Sequence, residues 1–271
     1  MMHESLGQAA YRRRRTILDL VYTSASGHIG GAMSCIDALT VLYDRVMDTE
    51  RMVRGDADAD HFVLSKGHCA EALYTVLADH GFIAQEDLNT YARFGTHLAE
   101  HPTHGLRGVD IATGALGHGF PVACGMALGC QRKGSQGHIY TLMGDGEQAE
   151  GSVWEAAMFA AKYRLDNLTA MIDRNRLQIS GPTEEVMPLD DLRARYAAFG
   201  WHVVQVDGHD YDAVQEALTT RASGKPVMVI LGTVKGKGSA VMENKAHWHH
   251  QIPDRAMYEQ IKADLMKAGE A

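Results

Sequence analysis

The sequence predicts an α/β fold, a mostly parallel sheet flanked by helices, and three observations carry that prediction. Short β-rich runs alternate with helix-like segments along the whole chain. The runs are continuously apolar rather than alternating, as expected of strands covered on both faces of a parallel sheet. Several of the intervening segments carry helix start and stop signals.

Taken in order, the first helix-like segment is "QAAYRRRRTILDLVY", residues 8–22. Its run from Arg12 to Arg15 is the one basic cluster, read here as a solvated helix face rather than a targeting or nucleic-acid patch. Residues 34–47 begin with Ser34 and place Asp37 three positions on, a capping-box pattern. Strands are predicted at 61–65, 138–143, 168–173, 202–207 and 227–234. Between them, a helix over 152–163 repeats the capping pattern with Ser152 and Glu155. Another, over 210–222, starts at Asp210 and stops before Gly224 and Pro226. A last helix is predicted in "AMYEQIKADLMKAGEA", 256–271. No internal repeat, low-complexity tract or composition break suggests a linker, so residues 1–271 are read as a single domain.

Composition narrows the functional classes. A net charge of −8 over 271 residues argues against a nucleic-acid partner. No stretch approaches the roughly twenty apolar residues that span a bilayer, and Asp19 interrupts the first apolar segment, so no secretory signal is expected. Cys35, Cys69, Cys124 and Cys130 show no CxxC spacing and are expected to be buried free thiols, which suits a cytoplasmic protein.

The segment "YTLMGDGEQAEG" concentrates the chemistry. Asp145 stands between Gly144 and Gly146 where a predicted strand ends, and Asn175 ends the next strand 30 residues later. In open α/β sheets ligands bind beyond the carboxyl ends of the strands. If the two strands are neighbours, a carboxylate and an amide oxygen converge there as hard ligands for Mg²⁺ or Ca²⁺, with phosphate oxygens completing the shell. The glycines allow close backbone approach to a phosphate, and the following helix turns its positive end towards an anion. A plain strand–turn–helix connection is the alternative for a lone GDG.

With "DRN" following "GDGEQAEG", the chain resembles thiamine diphosphate enzymes, and more closely the N-terminal, diphosphate-binding domain of transketolases. The resemblance runs from about residue 5 to about residue 255. It takes in "SASGHIGG" (24–31), "LSKGHCAEALY" (64–74), "EHPTHGLRGVDIATGALGHG" (100–119), "DRNRLQISGPT" (173–183) and "VKGKGS…WHH" (234–250). It implies a thiamine diphosphate-binding fold. It also implies that Asp145 and Asn175 ligate Mg²⁺ or Ca²⁺ through side chains and Leu177 through its carbonyl. Gly144 and Gly146 would approach the diphosphate, and Gly114 and Leu116 would line the aminopyrimidine end. Lys235 and His249 match the family's lysine and histidine near the diphosphate and thiazolium ring, and Glu150 an acid near the subunit contact. His28, His68, His101 and His249 would be the catalytic histidines around the reacting carbonyl and hydroxyls, with His68 also at the cofactor. Imidazoles suit such work because they move protons near neutral pH.

The chain departs from the family pattern at His118, where glutamine is frequent, at Arg174, at Gly31, and at His250, where glycine usually follows the histidine. It also contains no segment matching the pyrimidine-binding or C-terminal domains, nor the glutamate that activates the aminopyrimidine. The resemblance therefore implies a split transketolase, in which a separate C-terminal subunit carries the pyrimidine-binding domain. The active site would form between the chains of a heterotetramer or larger assembly. The reaction implied is transfer of a two-carbon ketol unit from a ketose, with sugar phosphates as the default substrates, to an aldose.

Rival readings are a component of a 1-deoxyxylulose-5-phosphate synthase-like or 2-oxoacid dehydrogenase-like enzyme, and a non-catalytic regulatory paralogue that kept the fold. A zinc site on His97, His101 and His104 is disfavoured because Pro102 breaks the helical spacing. "GALGHG" and "GTVKGKG" miss the dinucleotide and P-loop spacings.

Overall fold

The computed structural model describes residues 4–270. Helices α1 (Leu6–Ser24), α2 (Ile29–Val41) and α3 (Thr49–Arg54) precede β1 (His61–Leu64), and α4 (Ala70–Asp79) and α5 (Gly119–Lys133) follow it. The chain then runs through β2 (Ile139–Gly144), α6 (Gly151–Lys162), β3 (Leu168–Arg174) and a short hairpin, β4 (Leu177–Gln178) with β5 (Gly181–Pro182). It closes with α7 (Thr183–Val186), α8 (Leu192–Phe199), β6 (His202–Asp207), α9 (Tyr211–Thr219), β7 (Val227–Gly232) and α10 (Arg255–Gly269).

The five long strands form one parallel sheet in the order β1-β2-β3-β7-β6. Its two faces are covered by separate apolar layers. Tyr140 and Leu142 of β2 point into a core shared with α1, α2, α4, α9 and α10, while Ile139 and Met143 point into one shared with α5, α6 and α8. The continuous apolar runs of β2 and β3 are explained by this double cover, and both strands are buried along their whole length. β6 differs: as the sheet's last strand it leaves His202, Gln205 and Asp207 exposed, so the expected burial on both faces does not extend to it.

Two helix starts also fall elsewhere than the capping patterns predicted. α2 begins at Ile29, and Ser34 lies inside it, fully buried, donating to the Gly31 carbonyl at 2.9 Å and to Asp173 at 2.6 Å. α6 begins at Gly151 behind Glu150, and Ser152 donates instead to the Gly117 carbonyl at 2.7 Å. Asp210 does cap α9, accepting from the amides of Asp212 and Ala213.

The basic cluster is not a solvated face. Arg13 and Arg14 are buried, because α1 packs lengthwise between α2, α4 and α10 and turns one side inward. Arg14 forms a forked pair with Asp37 at 2.9 and 2.6 Å. Arg13 pairs with Asp44 at 2.8 Å and with Asp79 at 2.7 Å. The planar guanidinium suits such buried bidentate contacts. Cys35, Cys69 and Cys124 are buried free thiols as expected, whereas Cys130 is partly exposed. Among the described residues no helix is long and apolar enough to cross a membrane.

His138, just before β2, sits buried with its Nε2 2.8 Å from the Thr169 hydroxyl. Burial, aided by the charge of Arg221, pushes its pKa down from 6.5 to about 3. The unfolded chain therefore binds a proton that the fold refuses, and stability is present above pH 6.5 and lost as pH falls below it. His138→Asn should remove a slope of up to about 1.4 kcal/mol per pH unit in that window. Urea unfolding midpoints taken from neutral to mildly acidic pH measure this, and parallel curves for the two proteins would refute it.

Candidate active site

Because the strands are parallel, all their carboxyl ends lie on one edge of the sheet, where loops gather side chains from distant parts of the chain. Gly144 at the end of β2 is paired in register with Asp173 near the end of β3. The tips carrying Asp145 and Asn175 are therefore adjacent, which meets the condition on which their convergence depends. A cavity of about 320 Å³ opens there, and both residues line it. A larger hollow of about 710 Å³, beside His61 and Asp110, lies at the amino end of the sheet, away from these tips.

Asp145 is 2% exposed and accepts backbone N–H bonds from Gly146 at 2.8 Å and Arg176 at 2.5 Å. Even so its pKa is raised, by burial and then by the negative charge of Asp173. Among the described residues its one paired side-chain cation is Arg174, whose Nη1 stands 3.4 Å away and is shared with the Thr183 hydroxyl at 2.6 Å. A buried carboxylate held above its ordinary pKa is one that a further cation would relieve. Asn175 donates from Nδ2 to Asp173 at 3.1 Å, and its Oδ1 accepts from the Leu177 amide at 3.1 Å. The Leu177 carbonyl accepts from the Lys235 ammonium at 3.1 Å. The tips thus bring together a carboxylate, an amide oxygen and a main-chain carbonyl, the hard oxygen set that suits Mg²⁺ or Ca²⁺.

Lys235 is buried and its pKa falls to about 8, through burial first and then the charge of Lys66. It bridges to His249, with Nζ 2.9 Å from Nδ1. His249 in turn belongs to a cluster of five imidazoles. The His28 ring centroid lies 5.4 Å from that of His68, 5.6 Å from His101, 5.5 Å from His249 and 4.6 Å from His250. Burial, then the neighbouring His68, holds His28 down at about 4. Burial and the charge of Lys235 hold His249 at about 2, and burial lowers His101 as well. At neutral pH these three rings are neutral, each with one N–H and one lone pair, that of His249 being taken at Nδ1 by the Lys235 ammonium.

Most of the residues singled out in the sequence meet at this cavity. His28, His68, Gly114, Leu116, Gly144, Gly146, Leu177, Lys235 and His249 all line it. His101 stands just behind, packed on Gly114: a Cβ there would meet the His101 Cδ2 at 3.0 Å. Gly114 also has φ +142°, a backbone conformation open to glycine and strained for other residues. Glu150 is placed differently. It is exposed on the rim behind Gly117 and does not line the cavity. His118 is likewise exposed, its Nδ1 3.1 Å from the Leu116 carbonyl.

Three supporting residues escaped the sequence reading. Lys66, 1% exposed, forms an ion pair with the fully buried Asp173, which also accepts from Ser34 and Thr233. Glu147 accepts from the Ser65 hydroxyl at 2.5 Å and from the amides of Gly117 at 2.9 Å and Gly144 at 3.0 Å, tying three loops of the site together. Lys66 and Asp173 were visible as charges at strand ends, in "SKGH" and "DRN"; Glu147 carried no signal beyond its nearness to GDG.

Comparison with known proteins places this geometry in context. Residues 7–265 match the family model described as transketolase, thiamine diphosphate binding domain. The chain is 44% identical over 267 residues to one of the subunits of apulose-4-phosphate transketolase from Phocaeicola vulgatus, covering 98% of this chain and 95% of that one. It is 42% identical to the 6-deoxy-6-sulfo-D-fructose transketolase subunit SqwG of a Clostridium species, covering 94% of each. Among solved structures, transketolase from Leishmania mexicana superposes with a TM-score of 0.87 at 28% identity, covering 99% of this chain and 42% of that chain.

Proposed function

The chain belongs to the transketolase family through its thiamine diphosphate-binding domain, and from that premise we propose that it is the cofactor-binding subunit of a two-chain transketolase. The observation that carries the proposal is the junction of two features at one cavity. The hard oxygen set of Asp145, Asn175 and the Leu177 carbonyl lines the same cavity as His28, His68 and His249 of the imidazole cluster. Relatives that match this chain almost end to end carry subunit names, which supports a separate partner chain.

The residues present fit the cofactor. Asp145, with its raised pKa, gains from a divalent cation, and Mg²⁺ or Ca²⁺ would be held by Asp145, Asn175 and Leu177. Gly144 and Gly146 offer close backbone approach and Lys235 a cation for the diphosphate, and Gly114 and Leu116 form the wall for the aminopyrimidine. Bound thiamine diphosphate supplies the electron sink for carbon–carbon cleavage. The chain's own histidines do the proton work. His28 and His101, neutral at pH 7, orient the substrate hydroxyls and carry protons to and from them, and neutral His249 donates to them, with His68 beside them at the cofactor. The Lys235 ammonium, donating to Nδ1 of His249, leaves the opposite ring nitrogen to carry the proton that faces the cavity.

Residues 1–271 act in this reading as a single diphosphate-binding domain. The pyrimidine-binding and C-terminal domains belong to the partner, in a cytoplasmic heterotetramer or larger assembly. Substrates are sugar phosphates, and the residues that grip the phosphate lie mostly on the partner, while Glu150 stands near the contact between chains. The test is reconstitution. The chain purified alone should show little ketol transfer, and mixing it with a separately expressed C-terminal transketolase subunit should produce transfer that depends on thiamine diphosphate. Robust turnover by the single chain would sink the proposal.

A further inference from the structure

We propose that His28, Glu100 and His250 form a binding site for a borderline-soft divalent cation of the Zn²⁺ class at the mouth of the cofactor cavity. Among the described residues this is the one group of three histidine, cysteine or acidic side chains whose ligating atoms all lie within 4.8 Å of one another. Nε2 of His250 is 3.7 Å from a Glu100 carboxylate oxygen, and the His28 and His250 ring centroids are 4.6 Å apart. Donors on one tetrahedral zinc lie roughly 3.3 Å apart, given zinc–ligand bonds of about 2.0 Å. Small rotations close the difference, because the Glu100 and His250 side chains are 33% and 52% exposed.

An independent observation points to a ligand. Nδ1 of His28 is buried and has no hydrogen-bond partner, a state that costs free energy unless something fills it. Glu100 is meanwhile oriented from behind, its other oxygen accepting from the Ser26 hydroxyl, the kind of outer contact that fixes a metal-binding carboxylate. Two imidazoles and one carboxylate suit Zn²⁺ or Co²⁺ and suit Mg²⁺ and Ca²⁺ poorly, so this site and the all-oxygen set at Asp145 select different ions. Three protein ligands leave a fourth position for water, and a bound cation takes the His28 lone pair that ketol transfer uses, so occupancy of this site opposes that reaction. His250 gives this mouth a ligand that a glycine would not supply.

The experiment adds Co²⁺, as a spectroscopic stand-in for Zn²⁺, to the full chain stripped with chelator, and reads visible d–d absorption and calorimetric affinity. One ion per chain is expected, with d–d bands of the intensity that tetrahedral nitrogen and oxygen ligation gives. Glu100→Gln and His250→Gly should each weaken binding by more than the roughly 10- to 100-fold that loss of an outer partner costs. Both positions are partly exposed, and circular dichroism confirms that the variants fold. Asp145→Asn should leave the Co²⁺ signal unchanged while impairing cofactor binding, so failure here and failure of the transketolase reading are separable. Wild-type affinity in both mouth variants, or loss of the signal in Asp145→Asn, would overturn the proposal.

Discussion

Asp145→Ala should cost the assembled enzyme at least roughly 100-fold in affinity for thiamine diphosphate with Mg²⁺, since it removes the one anionic ligand of the set and exceeds the loss expected for an outer partner. Asp145→Asn should lose a comparable amount while leaving the fold intact. Asparagine keeps an oxygen for only one of the amides of Gly146 and Arg176, which bond different carboxylate oxygens, so one buried donor loses its acceptor at a cost of about 1–3 kcal/mol. Against that, it removes a carboxylate that burial and Asp173 hold above its ordinary pKa, so unfolding measurements should show the asparagine variant losing no more than about 1–3 kcal/mol. The signature is therefore a split: cofactor affinity falls by orders of magnitude while the variant stays folded. Calorimetric titration of each variant beside its thermal unfolding measures both. Wild-type affinity in both variants would mean that Asp145 is a turn residue and that the oxygen set holds no metal.

How much of this was legible in the sequence follows from the range of the interactions involved. The strand tips were legible because β2 and β3 are covered on both faces, so their apolar runs are continuous and end where the sheet ends. Asp145 and Asn175 then fell into place from spacing alone. Arg13 and Arg14 were misjudged because their partners lie elsewhere: Asp37 is 23 residues from Arg14, and Asp44 is 31 from Arg13. A run of four arginines looks the same whether it faces water or acids on a neighbouring helix. Ser34 misled for a related reason. Its capping pattern is local, but its hydroxyl is used over 139 residues to hold Asp173. Glu147 had no pattern at all, since its role as an acceptor emerges only when the loops of Ser65, Gly117 and Gly144 come together.

The Lys66–Asp173 pair is where long-range burial and the site meet, and breaking it should have the largest effect on stability. Both side chains are almost wholly excluded from water. Burial opposes charge on each, yet Asp173 stays below its ordinary pKa because the ammonium of Lys66 outweighs that penalty, and Lys66 stays correspondingly high. Lys66→Met keeps the volume of the side chain and removes its charge, leaving a carboxylate in the core facing Asp145. The expected loss is about 3–5 kcal/mol, the cost of stranding one member of a buried pair. Adding Asp173→Asn to that background should recover most of it, because the stranded charge is gone and the amide still serves the hydroxyls of Ser34 and Thr233. Urea unfolding of the two single variants and the double variant completes the cycle. A loss under about 1 kcal/mol in Lys66→Met, or a double variant no better than that single one, would show that the pair does not hold the tips of the sheet together.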